Sequence, residues 1–113
     1  MNQGMHQIGE VAEATGLSLR TIRHYEEVDL VPPSGRTSGG FRLYTEDDIE
    51  RLQLIKHIKP LEFSLDELRQ LLNARDRLGA EPENADERAQ LLEQLRMFSE
   101  LAESRCEHLR SQL

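Results

Sequence analysis

The chain has 113 residues, of which 37% are apolar and only 4% aromatic, with a net charge of −7 and a single cysteine. This is room for one small domain with an appendage, but too little apolar material for a single thick core, so a core completed by a second copy is expected. No apolar run is long enough to span a bilayer, the polar start MNQGMHQIGE is not a signal peptide, and Cys106 alone allows neither an intrachain disulfide nor a paired-cysteine metal knuckle; a cytoplasmic protein is expected.

Residues 1–6 read as a loose start. A first helix is predicted from about Ile8 to Thr15, with Ile8, Val11 and Ala12 on one face. Gly16 suits the left-handed position that ends a helix, and Ser18 can cap the next one by accepting a backbone N–H. That second helix runs to about Val28. Ser18, Leu19, Ile22, Tyr25 and Glu26 fall on one side, and Arg20, Arg23, His24 and Glu27 on the other. Pro32-Pro33 break any helix, and Thr37-Ser38-Gly39-Gly40 reads as a tight turn between short strands at about Ser34–Arg36 and Phe41–Tyr44. A helix-turn-helix followed by a Gly-rich hairpin is a way of gripping duplex DNA, one helix in the major groove and a wing on the flanking backbone.

Thr45 with Asp48 is a capping box that opens a helix carrying Ile49, Leu52, Ile55 and Ile58, stopped by Pro60. Ser64 with Glu67 is a second box, opening a helix that turns Leu65, Leu68, Leu71 and Leu72 inward. GAEPEN (79–84) breaks the pattern, and Asn84 with Glu87 starts a last helix over about 85–113. There Leu92, Leu95, Ser99, Ala102, Cys106, Leu109 and Leu113 recur at alternating spacings of three and four, with Leu91 and Phe98 widening the stripe. A narrow apolar seam on a charged helix wants a partner, and a homodimer is expected; packing against the chain's own body is the alternative. The expected division is residues 1–78 for DNA binding, 79–84 as linker and 85–113 for dimerisation.

Charge is the feature that fits a DNA binder least. Residues 1–60 carry 7 Lys/Arg against 9 Asp/Glu, and residues 61–113 carry 7 against 12. The stretch 18–44 is positive, but only locally, with Arg20, Arg23, Arg36 and Arg42 against Glu26, Glu27 and Asp29. Modest non-specific affinity follows, because that component scales with the phosphates neutralised.

The ordered set IGEVAEATGLSLRTIRHYEE, LVPP…R…GGFRLY, YTEDDIERLQLIK and FSLDELRQLL resembles the MerR, or mercury-resistance-regulator, family of transcription factors, strongly over residues 7–76 and by architecture over 85–113. The resemblance implies a mainly α fold: a winged helix-turn-helix, two bracing helices and a C-terminal coiled-coil dimerisation helix. It implies homodimers on inverted repeats that bend and untwist promoter DNA so that RNA polymerase engages both promoter elements, at a deformation cost of several kcal/mol in order of magnitude. Carried over position by position, Ser18, Arg20, Thr21, Arg23 and His24 would contact bases and phosphates, with Arg23 the strongest candidate for a base edge. His24 stands where tyrosine is more usual. Tyr25 belongs to the same set, with more of a packing role. Arg36, Gly40, Phe41, Arg42 and Tyr44 would form the wing's backbone contacts, and Lys59 would reach a phosphate. Glu62 replaces the glycine common in the corresponding turn.

The family's effectors bind after the dimer helix, a region not found before Leu113. Cys106, single and on the seam, reads as a small hydrophobe rather than a sensor, since thiolates chelate in sets. His6 and His57 show no ligand spacing, and no catalytic constellation, metal site or cofactor is expected. Two other readings remain open at this level: an architectural DNA-binding protein, and an interaction module with an idle helix-turn-helix.

Overall fold

The computed structural model describes residues 5–112. In order they form β1 (His6–Gln7), α1 (Ile8–Thr15), α2 (Leu19–Glu27), β2 (Gly35–Arg36), β3 (Arg42–Tyr44), α3 (Glu46–Ile58), a short 3-10 turn (Lys59–Leu61), α4 (Leu65–Gly79) and α5 (Ala85–Ser111). Leu113, expected to close the seam, lies outside the described residues, as does most of the expected loose start. The chain folds as two compact units, Met1–His57 and Ile58–Leu113. The first is the winged helix-turn-helix; the second is a helical hairpin.

In the first unit the helix ends are set by local chemistry. Gly16 sits at φ +75° and its N–H closes α1 on the Ala12 carbonyl. A side chain there would be strained, and a Cβ would lie 2.5 Å from Lys56 Nζ, which reaches across from α3 to donate to the Thr15 carbonyl at 2.6 Å. A cation on the last carbonyls of a helix is favoured by the helix dipole. Ser18 caps α2, accepting from the Thr21 backbone N–H at 3.1 Å. The side chains of Val11, Ile22, Tyr25, Val31, Tyr44, Leu52 and Ile55 make the core beneath. Full burial of each such aliphatic group contributes on the order of 1.5–3 kcal/mol.

The sheet is antiparallel in the order β1-β3-β2, with three strands rather than a two-stranded wing. His6 and Gln7 pair with Tyr44 and Leu43, so the expected loose start over residues 1–6 is corrected at His6. Strand β1 escapes a periodicity reading because two residues carry no alternation; its pairing is non-local. His6 adds a tie of its own, with Nδ1 3.3 Å from Glu10 Oε2 on α1 and Nε2 2.5 Å from Glu46 Oε1 on α3. These bonds, Glu46's first and Glu10's second, raise the imidazole above its ordinary pKa.

A raised folded-state value means that protonated His6 stabilises the unit. That contribution is full below the unfolded value of about 6.5 and is lost as pH rises through the folded value. The first unit should therefore melt at a slightly lower temperature as the solution is made mildly alkaline, a small effect because the pair is solvent-screened. Thermal melting across that range checks it, with His6→Gln expected to lose this component; an identical pH dependence in the variant would discard the tie.

Asp48 anchors the wing to α3. Its buried carboxylate accepts from Ser34 Oγ at 2.5 Å, the Thr45 N–H at 2.9 Å and Arg51 Nη1 at 2.8 Å, and its own N–H donates to Thr45 Oγ1 at 3.0 Å. The expected capping box is thus also the joint that holds the start of the hairpin.

In the second unit, Glu62 ends the 3-10 turn at φ +59°. It adopts the left-handed conformation that a glycine takes without penalty, at a cost in strain for a residue with a Cβ. Ser64 and Glu67 form the expected reciprocal box at 3.1 and 2.9 Å. Helices α4 and α5 pack on each other, and Leu68, Leu72 and Ala74 of α4 and Leu91 of α5 are buried, whereas Leu65 is 38% exposed, contrary to its expected inward place. Residues 79–84 are therefore the bend of a hairpin and not a linker that frees the last helix. Glu87 closes this bend, accepting from Arg77 Nη2 at 2.5 Å and from the Glu83 N–H at 3.1 Å. Further along, Phe63 meets Phe98 edge to face at 6.2 Å, and the Arg105 guanidinium lies 4.6 Å over the Phe63 ring.

Candidate nucleic-acid interface

Arg20, Arg23 and His24 are exposed on one side of α2, while Ile22 and Tyr25 on the other side are buried. The helix is held by its core face and offers two guanidiniums and an imidazole outward. Leu19 is 41% exposed, so the inner face begins only at Ile22. Ser18 and Thr21 are occupied with each other: besides the cap, Ser18 Oγ donates to Thr21 Oγ1 at 2.9 Å. Their first role is thus to set the helix start.

The wing follows the predicted turn. Gly40 takes φ +86° and its N–H donates to the Thr37 carbonyl at 2.9 Å, while the Thr37 N–H donates to the Phe41 carbonyl at 2.9 Å. Phe41 stands 65% exposed beside this turn. Arg36 and Arg42 are opposite each other in the β2–β3 register and converge on one acid, Glu26 of α2. Glu26 Oε2 accepts from Arg36 Nη2 at 2.9 Å and Oε1 from Arg42 Nε at 2.6 Å. The bond to Glu26 pushes the Arg42 guanidinium pKa still higher, so its charge is permanent.

Two expected contacts are corrected. Tyr44 has no exposed surface and Tyr25 retains only 6%. Alternation along β3 sends Tyr44 under the sheet, where burial raises its pKa and its hydroxyl finds no hydrogen-bond partner among the described residues; neither ring is presented to a ligand. Lys59 is exposed in the second unit. Sequence reasoning placed Glu26 on the inner face and missed its bridge to the wing. It missed Lys56 too, because both roles join residues distant in sequence. The signal available for Glu26 was an acid in a helix otherwise aimed at phosphate, a charge that asks for local partners.

The second unit carries the expected seam in altered form. Of the residues that widen the stripe, Leu91 is buried within the hairpin, and the half-buried Phe98 meets Phe63 of its own chain. Leu95, Ala102 and Cys106 are half-buried, and Leu92, Ser99 and Leu109 are exposed. An apolar edge thus remains uncovered along α5 beside the face that α4 occupies. Among the described residues no group of three or more His, Cys, Asp or Glu side chains is arranged to hold a metal ion, and no helix is long and apolar enough to cross a membrane.

The same sequence matches the model of the MerR HTH family of regulatory proteins over residues 7–75, and a second model, described as MerR, DNA binding, over residues 49–113. The chain belongs to the MerR family. It is 46% identical over 71 residues to the HTH-type transcriptional regulator ZntR of Escherichia coli (strain K12), a match covering 63% of this chain and 50% of ZntR. It is 44% identical over 68 residues to the HTH-type transcriptional activator mta of Bacillus subtilis (strain 168), covering 60% of this chain and 26% of that protein. The matches therefore span half or less of these curated relatives.

Among solved structures, the N-terminal part of the Bacillus subtilis multidrug transporter activator, MtaN, aligns with a TM-score of 0.55 at 34% identity over 94% of this chain and 92% of that one. HiNmlR, a MerR family regulator solved bound to promoter DNA, aligns with a TM-score of 0.64 over 95% of this chain and 76% of that one. At 21% identity that likeness bears on the fold alone. The mainly helical winged fold is that of MerR DNA-binding parts, and the family is made up of DNA-binding transcription regulators.

Proposed function

We propose that this MerR chain acts as a homodimer on an inverted-repeat operator and regulates transcription by bending and untwisting promoter DNA. The observation that carries the proposal is the grouping, on one compact unit, of the exposed Arg20, Arg23 and His24 with the wing arginines Arg36 and Arg42. Arg23 reads a base edge, where a guanidinium matches guanine bidentately. Arg20, Arg36, Arg42 and the exposed Lys59 serve phosphates, and Gly40 and Phe41 bring the wing tip to the backbone. RNA polymerase, meeting the deformed promoter, is the further partner.

The net charge of −7 limits non-specific affinity and leaves selectivity to the base contacts and to the deformability of the spacer. Selection of bound duplexes from fragmented DNA of the source genome, at stated salt, tests the reading. An enriched inverted repeat between promoter elements is expected. Broad enrichment without a repeat would replace the reading with an architectural one, and no enrichment would leave an interaction module.

The dimer rests on α5. Leu92 is 48% exposed and Leu109 37%, on an edge shared with Ser99, Cys106 and the half-buried Leu95 and Ala102. Small residues in mid-seam let two helices approach closely. Leu92→Glu places a charge on that edge without entering the α4–α5 packing. It should give monomers by light scattering at a concentration where the parent is dimeric, with helix content unchanged. A variant that stays dimeric would move the interface elsewhere.

A further inference from the structure

Glu26 occupies an unexpected position for an acid: the last turn of the helix that carries Arg20 and Arg23, its side chain 20% exposed, between both wing arginines. Its two oxygens are divided, Oε2 to Arg36 Nη2 at 2.9 Å and Oε1 to Arg42 Nε at 2.6 Å. Arg36 also donates through Nη1 to the Gly40 carbonyl at 3.0 Å, which closes the hairpin turn. One carboxylate thereby ties α2 to β2, to β3 and, through Arg36, to the wing tip. Arg42 is held by its Nε; among the described residues its Nη groups make no hydrogen bond, and they form the edge with which a guanidinium meets phosphate.

We infer that Glu26 is a positioning residue for DNA binding, one that locks the wing to the recognition helix and orients Arg36 and Arg42 before they meet the duplex. The inference rests on the DNA-binding reading above. Two long, flexible side chains would otherwise lose rotamer freedom on binding, and a hairpin two to three residues deep would otherwise swing relative to α2. Holding them beforehand removes that cost and fixes the distance between the base contacts of the helix and the phosphate contacts of the wing.

Charge counting makes the opposite forecast. An acid beside two arginines repels phosphate, so its removal should tighten binding and steepen the salt dependence. The sign of the effect therefore decides. Binding of the 113-residue chain to a short duplex of mixed sequence suits the test, since wing contacts are to the backbone and need no operator.

Glu26→Gln keeps the shape and loses the charge. It should bind about tenfold more weakly, with the slope of log affinity against log salt shallower by about one to two phosphates' worth. Arg42→Lys keeps the charge and loses the Nε bridge. It should weaken binding in the same direction, and the double variant should be no weaker than the weaker single. Thermal melting reports whether each variant folds, and Arg42→Lys carries the test if Glu26→Gln does not.

Equal or tighter binding by Glu26→Gln, a steeper salt slope, or Arg42→Lys behaving as the parent would overturn the inference. A parent chain that binds no duplex even at low salt would instead sink the DNA reading, and this inference with it.

Discussion

Truncating Ile22 to alanine is expected to destabilise the first compact unit by about 2–5 kcal/mol, the range for removing a large aliphatic side chain from a closed core. Ile22 has no exposed surface, and with Tyr25 it forms the buried face of α2, in the core that also holds Val11 and the other buried side chains of its unit. The lost burial adds to the cavity left behind, because neighbours in a close-packed interior relax only in part. A small domain has on the order of 5–15 kcal/mol in total, so a substantial fall in melting temperature is expected. Any Ile22→Ala chain that remains folded at low temperature should still bind DNA with the parent's selectivity, since the exposed face of α2 is untouched. Calorimetry with binding measured well below the transition checks both parts. A melting temperature within a degree or two of the parent's would mean that α2 is not held by this face.

The neighbouring substitution, Arg23→Ala, should do the reverse. Arg23 is exposed, and substitutions at such sites usually change stability by no more than about 0.5 kcal/mol. If its guanidinium reads a guanine, each half-site loses about 1–3 kcal/mol of discrimination, and a dimer on two half-sites loses about twice that. Selective operator binding should fall by about one and a half to four orders of magnitude, while residual non-specific binding and dimerisation persist. Competition between the selected inverted repeat and a scrambled duplex measures this ratio directly. Unchanged discrimination would remove Arg23 from the base-reading role and shift attention to Arg20 and His24. The contrast between residues 22 and 23 follows from helical geometry alone: neighbours about 100° apart around one axis face different surroundings.

What could be read along the chain was what short-range chemistry dictates. Gly16 ends α1 in the left-handed region, Ser18, Thr45, Ser64 and Asn84 start helices, and Gly40 turns the wing; each depends on hydrogen bonds among residues two to four apart. The exposed side of α2 was legible as well, because a helix of nine residues shows its period clearly. Only residues brought together from afar were hidden. Strand β1 takes its identity from β3, Lys56 reaches Thr15, and Glu26 gathers Arg36 and Arg42, contacts that no local period announces.

Tyr44 and α5 show the same division. An aromatic residue after Arg42 reads equally well as a ligand contact or as core, and the pleat of β3 sends it under the sheet with no exposed surface. A helix with apolar residues at heptad spacing has two candidate partners, its own chain and another copy. The hairpin at residues 79–84 gives Leu91 and Phe98 to the first, leaving Leu92 and Leu109 uncovered. The order of elements and the exposed basic side of α2 thus follow from the amino acids in line. Which arginines are held ready, which aromatics are buried and which edge of α5 is free follow from folding, because burial and ion pairing depend on neighbours that only the closed chain supplies.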